Sequence, residues 1–285
     1  MYYANCHFHS THSDGQFRPL HLARIAYGMG YRALALTDHD VMSGNTELLK
    51  EAKLLGMTAL TGAEITCRLT GDHSASDAGF HLVGLGIDID YPPLVEFVNK
   101  LCDWRNVHTR AIFEQGVRDG LLRDITWDEV LAYNPGCKWF CNEQVFHAMD
   151  LKGVFDKTLQ HEYFLKVFHG PFAKTQHIQE PLAVEAITMI RRAGGIPILA
   201  HPHRQTQYLP KLHDMGLLGV EVVHHLLDAE DEKLAREAAD ALHLYRSGGS
   251  DHSGIMGGCS LPYTADEGWG VTEEDFFAMA ERKLG

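Results

Sequence analysis

The sequence predicts an α/β protein, a barrel or a doubly wound sheet, on three observations: short apolar runs, helical patterns that follow most of them, and a length suited to one large core. The runs cover approximately residues 3–9, 32–37, 57–63, 80–87, 196–201, 219–224 and 243–248. Each ends in glycine or polar residues and reads as a buried parallel strand. A chain of 285 residues is of the size that α/β barrels occupy as one domain.

After the first run, Pro19 can take the first helical position, and Leu22, Ile25, Ala26 and Met29 follow on one face. The same strand-then-helix alternation returns at Thr46 to Leu55, Val184 to Ala193 and Asp231 to Leu242. Between the fourth and fifth runs the strand pattern stops. Residues 92–182 instead begin with Leu94, Phe97, Val98 and Leu101 at helical spacing and continue with further helical stretches. The expected organisation is therefore a barrel made of 1–91 and 183–285 with a helical subdomain, 92–182, inserted after a strand. Such an insertion sits above the catalytic face, where it can cover the site and choose the substrate. A closing helix is expected from Thr272 to Arg282, with acidic residues in its first turn.

Composition narrows the function classes. Hydrophobic residues make up 45% and charged residues 22%, the profile of a globular chain. No apolar run reaches the roughly 18 residues that span a bilayer, and the start, Met1-Tyr2-Tyr3-Ala4-Asn5, lacks a basic segment followed by an apolar one. A cytoplasmic protein with no membrane partner is expected. The six cysteines are scattered and read as free thiols; Cys137 and Cys141 resemble half a zinc site, but no second pair follows. A net charge of −13 opposes binding to a long duplex nucleic acid. Bound cations would neutralise part of that charge. Gly84-Leu85-Gly86 lacks a third glycine and no phosphate-binding G-x-x-x-x-G-K-S/T occurs, which sets aside dinucleotide and P-loop enzymes.

The chemistry is carried by histidines and carboxylates at strand ends. His7 and His9, two apart on a strand, point to one side, and Asp14 can supply an oxygen from the following loop. The second run leads into Asp38-His39-Asp40, the third into Glu64, and the fourth opens with His81. The fifth ends in His201-Pro202-His203-Arg204, and the last leads into Ser250-Asp251-His252. Charged groups converging at one mouth would repel or lie unpaired without cations, so metal binding is the economical reading.

In this order of motifs the chain resembles the polymerase and histidinol phosphatase (PHP) family. The resemblance is carried by His7-Phe8-His9 with Ser13-Asp14-Gly15, Leu36-Thr37-Asp38-His39-Asp40, Gly62-Ala63-Glu64, His81 through Asp88, Ala200-His201-Pro202 and Gly249-Ser250-Asp251. It implies a distorted TIM-like barrel of seven β/α units and two or three divalent ions, manganese, iron or zinc. The implied activity is that of a phosphoesterase acting on a small phosphorylated substrate, most like the branch that acts on nucleoside 3′,5′-bisphosphates and short 5′-phosphorylated oligonucleotides. It would put His7, His9, Glu64 and Asp251 on one metal, and His81 and His201 on a second that Glu64 bridges. Asp14, His39 and the histidine after Asp251 would hold a third.

Metals about 3.5–4 Å apart can share a water, lower its pKa and neutralise the oxygens around phosphorus, so hydrolysis needs no protein nucleophile. His203 or His225 could protonate the leaving oxygen. Arg204 could grip a phosphate with its planar fork, and Arg110 or Arg105 could reach one from the inserted helix. Asp38 and Asp40 could orient His39 or serve as turn and cap carboxylates.

The chain departs from the family pattern at three places. The family has one residue between the final Asp and His, whereas His252 follows Asp251 directly; ligation by His252 would need a bulge, which Gly248, Gly249 and Gly254 could permit. The bisphosphate branch has Gly where His203 stands. It also has an Arg and a His near Asn142 and Gln144, so the pocket wall differs. An amide or lactone hydrolase and a non-catalytic scaffold are the competing readings. Retention of costly buried charges argues against the scaffold.

Overall fold

The structure, a computed structural model, describes residues 2–72, 74, 77–176, 178–254 and 264–284. Strands β1 (Ala4–Asn5), β2 (Ala33–Ala35) and β3 (Thr58–Leu60) form one parallel sheet in that order. Strands β4 (Gly62–Arg68), β5 (Gly79–Leu85), β6 (Ile196–Leu199), β7 (Gly219–Val223) and β8 (Tyr245–Gly248) form a second. The class is α/β as the sequence predicts, but the strands divide between two sheets.

Two expectations are corrected. The fourth run, β5, is antiparallel to both β4 and β6. Residues 69–78 explain this, because they are too few for the helix-bearing crossover of a dozen or more residues that a parallel neighbour needs. The run 57–63 is also two strands, broken at Thr61. There the Asn45 side chain acts as a ladder partner for Gly62, donating from Nδ2 to its carbonyl at 2.9 Å and accepting its N–H at 2.9 Å.

Backbone hydrogen bonds join the two sheets beyond the strand ends. Glu64 N–H donates to Asp38 O at 3.1 Å and Asp40 N–H to Glu64 O at 2.9 Å. On the other side, Cys6 N–H donates to Gly248 O, Asp251 N–H to His7 O and His9 N–H to His252 O. These links gather the histidine-bearing segments at one end of the molecule.

Helices α1 (Pro19–Met29) and α2 (Asn45–Leu55) follow β1 and β2. Pro19 opens α1 and Gly30, at φ 102°, closes it. The inserted region holds α3 (Pro92–Arg118), α4 (Trp127–Tyr133), α5 (Asn142–Lys152), α6 (Gln160–Tyr163) and α7 (Pro171–Thr175). Then come α8 (Ala183–Arg192), α9 (Leu209–Asp214), α10 (Ala229–Leu242) and α11 (Glu273–Leu284). The first half of α3 buries Leu94, Val98 and Leu101 in the core that Ile65, Leu82, Ile187 and Val220 share. Its second half places Ile112 and Phe113 in a separate cluster with Trp127, Val130, Phe140, Val145 and Met149. The insertion thus has a core of its own, and α3 belongs to both. No helix among the described residues is long and apolar enough to cross a membrane.

Candidate metal centre

Glu64, fully buried near the start of β4, is the hub of the site. Its Oε2 lies 3.2 Å from His7 Nε2, 3.2 Å from His9 Nε2 and 3.1 Å from His39 Nδ1. Its Oε1 lies 2.9 Å from His81 Nδ1 and 3.2 Å from His201 Nε2. Five imidazoles therefore divide between the two oxygens of one carboxylate. Asp251 adds a second carboxylate, with Oδ1 2.8 Å from His9 Nε2 and 3.4 Å from His7 Nε2.

The fold explains the convergence. His7 and His9 extend β1 with side chains on one face, and β5's reversed direction brings His81, near its first residue, to the same end as His201 beyond the last residue of β6. The chain turns sharply to reach the site: Asp40, His201 and Asp251 have φ of 47°, 28° and 46°, a left-handed region costly for a side chain with Cβ. Gly249 permits a close approach, since a Cβ there would lie 2.4 Å from His7 N.

Asp14 stands 3.7 Å from His9 Nδ1 and 3.7 Å from His39 Nε2. Its loop is pinned by Asp38, whose carboxylate accepts Ser10 N–H, Ser10 Oγ–H and Ser13 Oγ–H, each at 2.7 Å. Asp38 is therefore a loop anchor. Asp40 accepts Trp139 Nε1–H at 3.1 Å, and that indole stacks on His39 at 4.7 Å, so Asp40 orients His39 through a residue of the insertion. Burial pushes Asp40 up to about 6 against the opposing charge of Arg105.

His252 stands apart from these groups. It is buried, but it belongs to none of the ligand groups among the described residues; its ring stacks on Phe17 at 5.8 Å. The left-handed residue is Asp251 itself, and His252 then bridges Phe8 in extended backbone, which turns its side chain away from that of its neighbour. Asp14 and His39 come together with His9 instead.

The residues expected around the substrate separate. His225 borders the centre, grouped with His224 and Asp251, and donates from Nδ1 to Ser250 O at 3.1 Å. His203 pairs with Asp231 at 2.5 Å, and Arg204 N–H donates to the same carboxylate, with the Arg204 side chain exposed. Arg110 is exposed and paired with Glu114 one turn away. Arg105 lies over Trp139, its guanidinium carbon 5.3 Å from the ring centre. Cys137 and Cys141 are free, Cys137 directing its thiol to Ser13 O at 3.3 Å; Cys259 lies outside the described residues.

Two residues escaped the sequence reading. Glu221 in β7 and His224 just after it are fully buried. Glu221 Oε1 is 2.8 Å from His7 Nδ1, and Oε2 accepts His201 N–H at 2.6 Å. A lone carboxylate inside the apolar run Gly219 to Val223 was the available signal.

Electrostatics explain why this arrangement calls for cations. Burial pushes Glu64 up, but His39, His7 and His81 outweigh it and hold the carboxyl well below its usual range. Burial likewise pushes His7 and His9 down, yet surrounding carboxylates hold both rings well above theirs. His7 Nε2, His9 Nδ1, His39 Nδ1 and Glu64 Oε2 are buried without a hydrogen-bond partner. Unfulfilled atoms on this scale are rare in folded proteins, and mixed imidazole and carboxylate donors suit manganese, iron or zinc. The donor set fits divalent metal ions.

Residues 5–177 match the family described as PHP domain. A 5′-3′ exoribonuclease of Haemophilus influenzae is 30% identical over 204 residues, covering 70% of this chain and 68% of that protein. A 3′,5′-nucleoside bisphosphate phosphatase of Chromobacterium violaceum is 28% identical over 275 residues, 91% of this chain and 90% of that one. Among solved structures, a suspected metal-dependent phosphoesterase of Bifidobacterium adolescentis superposes with a TM-score of 0.82 over 98% of this chain and 96% of that chain, at 22% identity. With the family match spanning more than half of the chain and the histidine cluster lying at its sheet ends, the chain belongs to the PHP domain family.

Proposed function

We propose that the protein is a metal-dependent phosphoesterase that hydrolyses a phosphate monoester of a small phosphorylated metabolite or nucleotide, with nucleoside 3′,5′-bisphosphates as the leading class. The observation that carries this reading is the division of imidazoles across Glu64: His7, His9 and His39 at Oε2, His81 and His201 at Oε1. A bridging carboxylate between two nitrogen-rich sets is the layout of a two-ion centre. His7, His9, Glu64 and Asp251 would hold one ion, and Glu64, His81 and His201 a second. Asp14 and His39 offer a third position, for which His9 rather than His252 stands nearby.

Bound ions would supply Lewis acidity towards the phosphoryl oxygens and ionise a water at neutral pH. The chain's own residues do the rest. Asp38 holds the Asp14 loop, and Asp40 with Trp139 sets the ring plane of His39. His225, with Nδ1–H committed to Ser250 O, is better located than His203 to exchange a proton with the leaving oxygen. Arg105, which contacts Trp139 beside His39, is a stronger candidate for gripping phosphate than Arg204 or Arg110.

In this reading residues 92–182 cover the site, supported by contacts of Trp139 with His39 and of Gln144 and Cys137 with Ser13 O. The two sheets, joined by bridges at Phe8–His252 and His39–Glu64, would be the parts of one distorted seven-unit barrel. The free thiols among the described residues support a cytoplasmic location. Trimming of short oligonucleotides is the second reading, favoured by the similarity to the Haemophilus influenzae exoribonuclease. The net charge of −13 opposes longer nucleic acid.

A phosphate-release screen of the manganese-loaded protein tests the proposal, with mono- and bisphosphorylated nucleotides, sugar phosphates, histidinol phosphate and 5′-phosphorylated trinucleotides as substrates. Phosphate release from bisphosphates is the expected outcome. Release from none of these, with cleavage of an aryl ester instead, would remove the phosphoesterase reading.

A further inference from the structure

We infer that Glu221 is a positioning residue that ties two cation sites together, fixing the ring tautomer of His7 in one and the backbone of His201 in the other. The inference rests on the two-ion reading of the Glu64 cluster.

His7 must present a lone pair to the cluster through Nε2, which faces Glu64 at 3.2 Å and Asp251 at 3.4 Å. An imidazole can do so only if its proton sits on Nδ1, and a carboxylate accepting from Nδ1 enforces that choice. Glu221 Oε1, 2.8 Å from His7 Nδ1 with both side chains wholly buried, is that acceptor. The other oxygen, Oε2, accepts the backbone N–H of His201 at 2.6 Å. His201 is held at φ 28°, outside the region L-residues favour, so its backbone needs an external tether to carry its ring to Glu64.

A cation beside Glu221 itself is the alternative, because His7, Glu221 and His224 also come within ligand reach of one another. The hydrogen bonds oppose it. Glu221 already accepts at both oxygens, and His7 Nδ1 carries the proton it donates. His224 Nδ1 accepts Leu226 N–H at 3.1 Å, so its proton sits on Nε2, which faces Asp251 Oδ2 at 3.3 Å. Neither ring has a lone pair left for an ion there. Glu221 thus organises ligands without being one.

The test uses Glu221→Gln, close to isosteric but with a single acceptor oxygen where two hydrogens must be accepted. Mn(II) titration of the full chain by calorimetry is expected to show two sites in the wild type, each weakened about 10–100-fold in the variant. Nitrogen-15 NMR of histidine-labelled, Zn(II)-loaded protein is expected to show the Nδ1–H tautomer of His7 in the wild type and its loss or mixing in the variant. A merely structural role would lower the melting temperature and leave that signature alone. Glu221→Asp keeps the charge but is one methylene too short to reach both partners, and it decides the matter should E221Q not fold. It is expected to weaken at least one site tenfold or more. Wild-type affinities with an unchanged His7 tautomer in E221Q, or wild-type affinities at both sites in E221D, overturn the inference alone. Failure of the wild type to bind Mn(II) overturns the two-ion reading and the inference with it.

Discussion

At the scale of single residues, the site is one buried carboxylate that five imidazoles share, and its behaviour follows from that ratio. Glu64→Gln removes the charge that holds both sets, so manganese binding and turnover are expected to fall by at least the ~100-fold that losing a ligand's outer partner can cost. Calorimetry and a phosphate-release assay check this, and full activity in the variant would remove Glu64 from the centre. Proton competition gives a second expectation. Carboxylates around His7 and His9 hold these rings well above the usual imidazole range, overcoming the downward push of burial. Both rings therefore carry protons below their raised values, and a cation must displace them. Manganese affinity should climb as pH rises, by about tenfold per pH unit for each proton displaced, until both rings are deprotonated. Titrations at pH 6, 7 and 8 in buffers of different ionisation enthalpy would measure affinity and proton release together, and a flat profile would contradict the assignment. Most of these residues were readable from the sequence because paired histidines and carboxylates fell at strand ends. Glu221 was overlooked although a lone carboxylate interrupts its apolar run, because the run does not say which histidine that carboxylate meets, and the side His252 takes is fixed only by the backbone angle of Asp251.

At the scale of elements, helices were legible and strand direction was not. The period of Leu22, Ala26 and Met29 and the placement of Pro19 marked α1 almost to the residue. Apolar runs marked the strands, but a run reads the same in either direction, and only the short 69–78 connection betrays the antiparallel β5. The insertion's helices were recognised without their contacts. Trp139, wedged between His39 and Arg105 and held by Asp40, is the element-level link between residues 92–182 and the histidine cluster. Trp139→Ala should destabilise the fold by about 3–5 kcal/mol, as expected when a large buried ring is deleted, and loosen His39. Urea unfolding followed by tryptophan fluorescence and circular dichroism measures the first. The second should show as a manganese stoichiometry lower than the wild type's, and a variant with unchanged stability and stoichiometry would show that Trp139 is not coupled to His39.

For the whole molecule, cations and fold should be thermodynamically linked, because histidines from both sheets meet at one carboxylate. Divalent ions at 100 times their dissociation constant stabilise the native state by about 2.7 kcal/mol. In a chain of this size that corresponds to a rise in melting temperature of roughly 4–5 °C, reversed by chelator. Differential scanning fluorimetry with manganese, magnesium and EDTA checks it; no response to any of them would count against a centre built from both sheets. The charge of −13 should also make binding of the anionic substrate steeper in salt for the metal-free protein than for the loaded one.

The reversed strand β5 carries a consequence for how this protein can diverge. Because β5 runs against β6, the chain leaves it at Leu85, beside Ile196 and opposite the end where His201 stands. It must then travel back, and α3 makes the journey: 27 residues, about 40 Å of continuous rod. One end is seated among Leu82 and Ile187 in the body; further along, Asn106 takes the N–H of Phe140 and donates to Lys138 O beside the Trp139 wedge. Deleting one residue between those anchorages would swivel everything beyond by about 100° and shorten the rod by 1.5 Å. New specificities can therefore arise by substitution along α3 or by length changes past Arg118, whereas the stretch from Leu101 to Asn106 is metrically frozen.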